Sequence, residues 1–191
     1  MDAKILVAIA DGSEEIEAVV VIDVLRRAGL AVTVASCAPE GRLQVVASRG
    51  VHITADCAMD DLLSDTFDLI VLPGGMPGAE HLRDQPTLAI KLRQQHNHRR
   101  WIAAICASPA VVLKPLGFTE GRQLTCYPAF QGQFSPAQLR ANDAVVVDEP
   151  NMLVTSQGPG TSFSFALTLV ELLCGGAKAN EVKSGLLLDR F

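Results

Sequence analysis

Short runs made entirely of apolar residues, each closed by a turn and followed by a helical stretch, recur along this chain and restrict its fold more than any other feature. Ile5-Leu6-Val7-Ala8-Ile9-Ala10 shows no polar alternation, as a strand covered on both faces requires. Asp11-Gly12-Ser13 reads as a turn, and Asp11 or Ser13 is suited to cap a helix that starts near Glu14 and stops at Gly29. Leu30 to Ser36 is the next strand, and Gly41 to Ile53 is a small hairpin or two short edge strands. Asp68 to Leu72 is a third core strand, ended by Pro73-Gly74-Gly75, and polar helix-forming sequence runs from Ala79 to Arg99. Ile102 to Ile105 is the fourth core strand. Cys106 ends it, and Pro109 suits the first turn of a following helix. Leu124 to Cys126, Ala144 to Val147 and Met152 to Thr155 are later strand candidates. Gly158-Pro159-Gly160 breaks the chain before a long apolar helix from Thr161 to Cys174, and Ala177 to Leu188 reads as a last helix. This alternation predicts an α/β fold, a mostly parallel sheet sandwiched by helices, with its ligand site beyond the carboxyl ends of the strands.

A length of 191 residues supports one well-buried core and would cramp two, so a single domain over residues 1–191 is expected. The net charge of −5 gives no general pull toward nucleic acid or an anionic membrane. No secretory signal is visible, and the Ile5–Ala10 run is too short to span a bilayer. The five cysteines form no Cys-x-x-Cys pair, which argues against a zinc ribbon and for reduced thiols in a cytoplasmic protein. His96-Asn97-His98-Arg99-Arg100 lies at the polar end of a helical stretch, and nothing nearby completes a metal ligand set.

The stretch richest in chemistry is Ala103-Ala104-Ile105-Cys106-Ala107-Ser108-Pro109. An apolar strand runs into a residue that must turn at once into a helix, an elbow that holds a nucleophile at the mouth of a site. A helix start carries unpaired N–H groups and partial positive charge, which lowers a thiol pKa. A buried structural cysteine is the plain alternative. Pro73-Gly74-Gly75 ends another core strand, and its glycines let backbone N–H groups approach a ligand if that strand neighbours the Cys106 strand. Glu14 and Glu15 fit a solvated helix start. Glu17 precedes the all-apolar run Val19-Val20-Val21-Ile22, so it is either a solvated glutamate or a buried carboxyl with a raised pKa that could share a proton with a thiolate. Arg26, Arg27 and Arg49 are candidate anion contacts near a subunit seam, or plain surface charge.

Together, Glu14-Glu15-Ile16-Glu17, Pro73-Gly74-Gly75, Ala103-Ala104-Ile105-Cys106-Ala107 and Ser156-Gln157-Gly158-Pro159-Gly160-Thr161 resemble the ThiJ/PfpI superfamily, nearest its Parkinsonism-associated protein deglycase branch with bacterial YajL-like members. The resemblance spans Ile5 to about Leu188. It implies a flavodoxin-like three-layer sandwich of the class I glutamine amidotransferase type, and a homodimer through the first helix. It implies Cys106 as nucleophile and Glu17 as its protonated partner, with the backbone of Gly75 and Ala107 as oxyanion site. Gly74, Arg27, Arg49 from the other subunit, and Tyr127 would line the same pocket. No cofactor and no metal are implied. The chain departs from relatives twice. Ala107 replaces the histidine that follows the cysteine in the protease-like branch, and Tyr127 stands before Pro128 where several relatives carry histidine.

Three functions follow from these residues. The first is a deglycase or glyoxalase III-like enzyme acting on methylglyoxal, glyoxal and their early protein adducts, with a role in oxidative and carbonyl stress protection. The second is a redox-sensing stress chaperone in which Cys106 is oxidised to sulfinate without significant turnover. The third is a scaffold with an idle pocket. A role in thiazole metabolism, which the family name suggests, finds no phosphate-cradling sequence to support it, because Asp11-Gly12-Ser13 is too short for a nucleotide loop.

Overall fold

The uninterrupted apolar runs become the buried centre of one large sheet. The computed structural model describes residues 3–190. In chain order its elements are β1 (Lys4–Ile9), α1 (Glu15–Arg27), β2 (Ala31–Ser36), β3 (Gln44–Val46), β4 (His52–Thr54), β5 (Cys57–Ala58) and β6 (Leu69–Leu72). There follow α2 (Gly78–Arg83), α3 (Pro86–Asn97), β7 (Trp101–Ile105), β8 (Val145–Asp148), β9 (Leu153–Ser156), α4 (Ser162–Cys174) and α5 (Gly176–Gly185). Seven strands form one sheet in the order β5-β2-β1-β6-β7-β9-β8. All its pairings are parallel except β8 against β9. β3 and β4 form a separate antiparallel hairpin, as the Gly41–Ile53 sequence pattern predicts.

Helices cover both faces, which explains why the central strands carry no polar face. α1 packs on α4 and α4 on α5, while α2 and α3 pack together, with α3 lying against β6 and β7. Ile5 through Ile9 and every residue of β6 are buried. The architecture is a mostly parallel α/β sandwich of flavodoxin-like type. The outer side of α1 leaves Ile16 and Val19 about half exposed.

From β1 the chain first builds outward through β2 and β5, then returns to the other side of β1 at β6. The direction of winding therefore reverses between β1 and β6. A crevice opens beyond the carboxyl ends of strands at such a point. Asp11–Glu14 leaves β1 there, Pro73–Gly75 leaves β6, and Cys106 leaves the adjacent β7.

The structure corrects several boundaries. The polar stretch from Ala79 to Arg99 is two helices, because Pro86 starts a new one and the Gln85 side chain caps it by accepting from Thr87 N (2.6 Å) and Leu88 N. Leu124–Cys126 is not a strand. β9 already occupies the free edge of β7, so Leu124 makes a single bridge to Leu139, and Thr125 N donates to the Thr155 hydroxyl (2.9 Å). The helix expected after Cys106 is a five-residue π turn, Pro109–Leu113. Cys57–Ala58, too short to read from pattern, adds an outer strand.

Candidate active site

Cys106 has φ +63°, a left-handed conformation that costs an ordinary residue about 1–2 kcal/mol. Its surroundings hold it there from both sides. The Cys106 N–H donates to Ser156 O (3.0 Å), and Tyr127 N–H donates to Cys106 O (2.8 Å). The Ser108 hydroxyl donates to Pro73 O and ties the elbow to the glycine turn. A side chain on such a turn leaves the strand direction and enters the crevice.

Gly74 passes between the reacting groups. A Cβ there would lie 2.6 Å from Cys106 Cβ, 2.9 Å from Ala107 N and 3.0 Å from Glu17 Oε2, so no larger residue fits. The Gly74 N–H donates to Glu17 Oε2 at 2.7 Å, and Gly74 O accepts from Glu14 N at 3.0 Å. These two bonds lock the start of α1 to the end of β6. Glu14 caps the helix by accepting from Glu17 N (2.8 Å). Glu17 itself is fully buried, and its Oε1 has no hydrogen-bonding nitrogen or oxygen partner. The backbone N–H groups of Gly75 and Ala107 act on the Cys106 sulfur.

Glu14 and Glu15 are buried, not solvated as the sequence alone implies. Glu15 receives the tip of the β3–β4 hairpin: the Ser48 hydroxyl donates to Oε2 and Arg49 N–H to Oε1, each at 2.7 Å. Burial pushes the Glu15 carboxyl up, but these donors outweigh it and hold it below the usual carboxylate range. The hairpin thereby brings Arg49 to the pocket of its own chain, whereas the family resemblance implied an arginine from a second subunit. Cys106, Gly75, Ala107, Arg49 and Tyr127 share a cavity of about 320 Å³ with Glu14, Ser48, Met76, Phe130 and Pro159. Arg27 is not brought there. It sits at the exposed end of α1 and donates to Asp23 at 2.6 Å. None of the four histidines lines this cavity.

Glu14 was open to detection, since its three-residue spacing from Glu17 is that of a cap and a first-turn amide. Met76, Ser48 and Phe130 reach the pocket from separate loops, and no local pattern marks them.

Ionisation here belongs to the Glu17–Cys106 pair. Burial pushes the Glu17 carboxyl up to about 7, against the pull of the Gly74 N–H and the Cys106 side chain. Burial, and then the adjacent Glu17 charge, push the Cys106 thiol up to about 12, while the Gly75 and Ala107 N–H groups act the other way. The lowered thiol expected from a helix start is therefore not what the fold provides, because burial and the adjacent Glu17 outweigh the two N–H groups. With Glu17 ionised, Cys106 remains a thiol at neutral pH. With Glu17 protonated, the repulsion disappears and the carboxyl O–H becomes a donor to sulfur. The two N–H groups at sulfur outnumber the single one at Glu17, and Cys106 retains 8% exposure where Glu17 has none. These amides lower the cost of shifting the pair's single negative charge from the carboxylate to the sulfur, the form in which the sulfur attacks.

Among the described residues, no group of three or more His, Cys, Asp or Glu side chains is placed to hold a metal ion. No helix among them is long and apolar enough to cross a membrane.

The folded-state pKa of Glu17 lies above its ordinary value of 4.5. Its contribution to stability is therefore complete below about 4.5 and is lost as pH rises through about 7. Relative to Glu17→Gln, the wild type is expected to lose about 3 kcal/mol between pH 5 and pH 8 in urea unfolding. A stability difference that stays constant across that range would show that Glu17 is ionised in the fold throughout.

Comparison with known proteins identifies the family. The DJ-1/PfpI family model matches residues 3–172. The chain is 42% identical over 185 residues to Protein DJ-1 homolog B of Arabidopsis thaliana, covering 97% of this chain but only 41% of that protein. It thus spans less than half the length of that plant relative. It is 37% identical over 181 residues to the glutathione-independent glyoxalase DJR-1.2 of Caenorhabditis elegans, covering 94% of this chain and 93% of that protein. Among solved structures, oxidized Toxoplasma gondii DJ-1 superposes with a TM-score of 0.92 at 44% identity, covering 97% of this chain and 98% of that one. The chain belongs to the DJ-1/PfpI family.

Proposed function

We propose that this protein is a cofactor-independent enzyme that converts small reactive dicarbonyls, such as methylglyoxal and glyoxal, and their early protein adducts, using Cys106 as nucleophile. The observation that carries this reading is the placement of one sulfur against two backbone N–H groups and one buried, proton-retaining carboxyl. A cavity of about 320 Å³ suits a small carbonyl compound. The similarity to a protein named as a glutathione-independent glyoxalase supports the same chemistry.

For methylglyoxal the sequence of steps balances without an oxidant. The Cys106 thiolate adds to the aldehyde carbon and forms a C–S bond. The carbonyl oxygen takes the negative charge, faces the Gly75 and Ala107 N–H groups, and collects the Glu17 proton to give a hemithioacetal. Glu17, now ionised, removes the proton from the same carbon to give an enediolate. It returns that proton to the neighbouring carbon while the hydroxyl proton passes to the adjacent oxygen, leaving a thioester of the 2-hydroxy acid. Water cleaves the C–S bond, releases the 2-hydroxy acid and restores the thiol. A carboxyl with a pKa near 7 suits both directions of this transfer. Arg49 lines the cavity and offers a cation to the acid product.

A second reading is a redox-sensing stress chaperone. It draws on the similarity to a structure described as oxidized, and on the same donors, which would hold the oxygens of a Cys106 sulfinate.

Three measurements separate these readings. Methylglyoxal consumption is expected to fall at least about 1000-fold in Cys106→Ser, since the thiolate makes the covalent bond; equal rates in the two proteins would remove the enzyme assignment. The pH midpoint of iodoacetamide labelling at Cys106 is expected to rise in Glu17→Leu, which has no donor, with Glu17→Gln in between. A midpoint that drops in both variants would mean that Glu17 only repels the sulfur. Under mild peroxide, intact-mass spectrometry of a sensor would show two oxygens gained at Cys106 ahead of every other cysteine. Equal oxidation of all five cysteines would count against the second reading.

A further inference from the structure

The amino-terminal end of the sheet, opposite Cys106, carries a second cluster that the carbonyl chemistry does not use. His96 in the last turn of α3, Arg99 and Arg100 just after it, Arg122 from the segment before β8, and Met152 at the entry to β9 surround a cleft of about 50 Å³. β7 begins beside this cleft and ends at Cys106, so the two sites lie roughly 15 Å apart along five strand residues.

Arg122 is 5% exposed. Its guanidinium donates to His96 Nδ1 at 2.8 Å, and that is its one hydrogen bond among the described residues. Arginine has no acceptor, so His96 Nδ1 must be the acceptor there. The carboxylate whose charge acts on Arg122, Asp148, is occupied by Gln123 N (2.9 Å) and by the Asn151 side chain, and forms no ion pair with it. Among the described residues the Arg99 guanidinium donates only to Pro150 O at 3.2 Å, and the Arg100 guanidinium only to Phe67 O at 3.5 Å. Three guanidinium groups thus converge with most of their donors unspent, and no carboxylate lines the cleft.

The backbone around the cleft is also costly. Arg99 closes α3 with φ +51°, at the position where glycine is the usual residue. Met152 has φ +54° and borders the same space. Two of the five non-glycine residues with positive φ therefore meet here, and a third is Cys106 itself. Such conformations collect where function holds them.

We propose that this cleft binds one small tetrahedral oxyanion, either free phosphate or the phosphoryl group of a phosphomonoester. Arg122 forms its base, and Arg99 and Arg100 its rim. Guanidinium groups match such an anion through paired N–H donors, and an almost buried one binds it with little competition from water. The space accepts one phosphoryl group and no base or sugar.

Calorimetric titration and thermal unfolding with inorganic phosphate, and separately with glycerol 3-phosphate, at constant ionic strength in chloride, test this. Wild type is expected to show saturable heat and a saturable rise in Tm. Binding of both ligands assigns the site to a phosphoryl group in general, and binding of phosphate alone assigns it to the free ion. Arg99→Gly relieves the left-handed backbone, so it is expected to fold at least as well as wild type while binding about tenfold or more weakly. Arg122→Gln, which still reaches His96 as a donor, is expected to lose affinity similarly. Arg49→Met, in the Cys106 pocket, is expected to bind unchanged. Saturable binding that survives both Arg99→Gly and Arg122→Gln, or is lost in Arg49→Met, would overturn the proposal. So would a wild type whose response to phosphate equals its response to chloride.

Discussion

The 2.7 Å hydrogen bond from the Gly74 amide to Glu17 Oε2 joins the first helix to the end of the third core strand at the point where the sheet reverses its winding. Much of the site depends on it. It brings a carboxyl into a place without water, beside the Cys106 elbow. It requires a residue with no side chain, since a Cβ at Gly74 would strike Cys106, Ala107 and Glu17 together. A Cβ at the neighbouring Gly75, whose φ is +85°, would strike Gly12 O and Glu14 N. The turn after β1 and the turn after β6 therefore form one interlocked unit.

That unit sets the electrostatics. A carboxyl held in a dry site by a single N–H keeps its proton to about neutral pH, and a thiol beside it responds to that proton. The thiolate and the neutral carboxyl form and disappear together, so the pair behaves as one titrating group with two atoms. Buried cysteines elsewhere lack this arrangement. Burial alone raises Cys126 to about 11, with no donor to offset it. What sets Cys106 apart is a partner able to change the sign of its influence, together with two amides aimed at its sulfur.

The rim of the pocket is built by contacts remote in sequence. Glu15, one residue from the helix cap, accepts from Ser48 and Arg49 across more than thirty residues and so draws the β3–β4 hairpin over the cavity. Tyr127 is placed by the hydrogen bond its N–H donates to Cys106 O, and its ring lies at the mouth, close to Gly158. The same sheet also separates this pocket from the arginine cleft, because a parallel strand has two chemically different ends. One end receives the turns that follow strands and carries Cys106. The other receives the turns that precede them and carries Arg99, Arg100 and Arg122.

By itself the sequence determined the layers, the parallel strands and the position of Cys106 at a strand end. Those properties depend on local periodicity and on turn residues such as Pro73-Gly74-Gly75, which act over a few neighbours. It also marked Glu17 as a carboxyl entering an apolar helix. It left open whether that carboxyl was wet or dry, and it misplaced Glu15 in solvent, because burial is settled by segments dozens of residues away. Only the tertiary structure excluded Leu124–Cys126 from the sheet, by giving β9 the edge beside β7. Only it showed Arg27 paired with Asp23 away from its own chain's pocket and Arg49 lining that pocket. It alone decided the ionisation of Cys106, since a thiol's pKa depends on the water, charges and amides within a few ångströms of the sulfur, and here those come from the stretches holding Glu17, Gly75 and Ala107, brought together by folding.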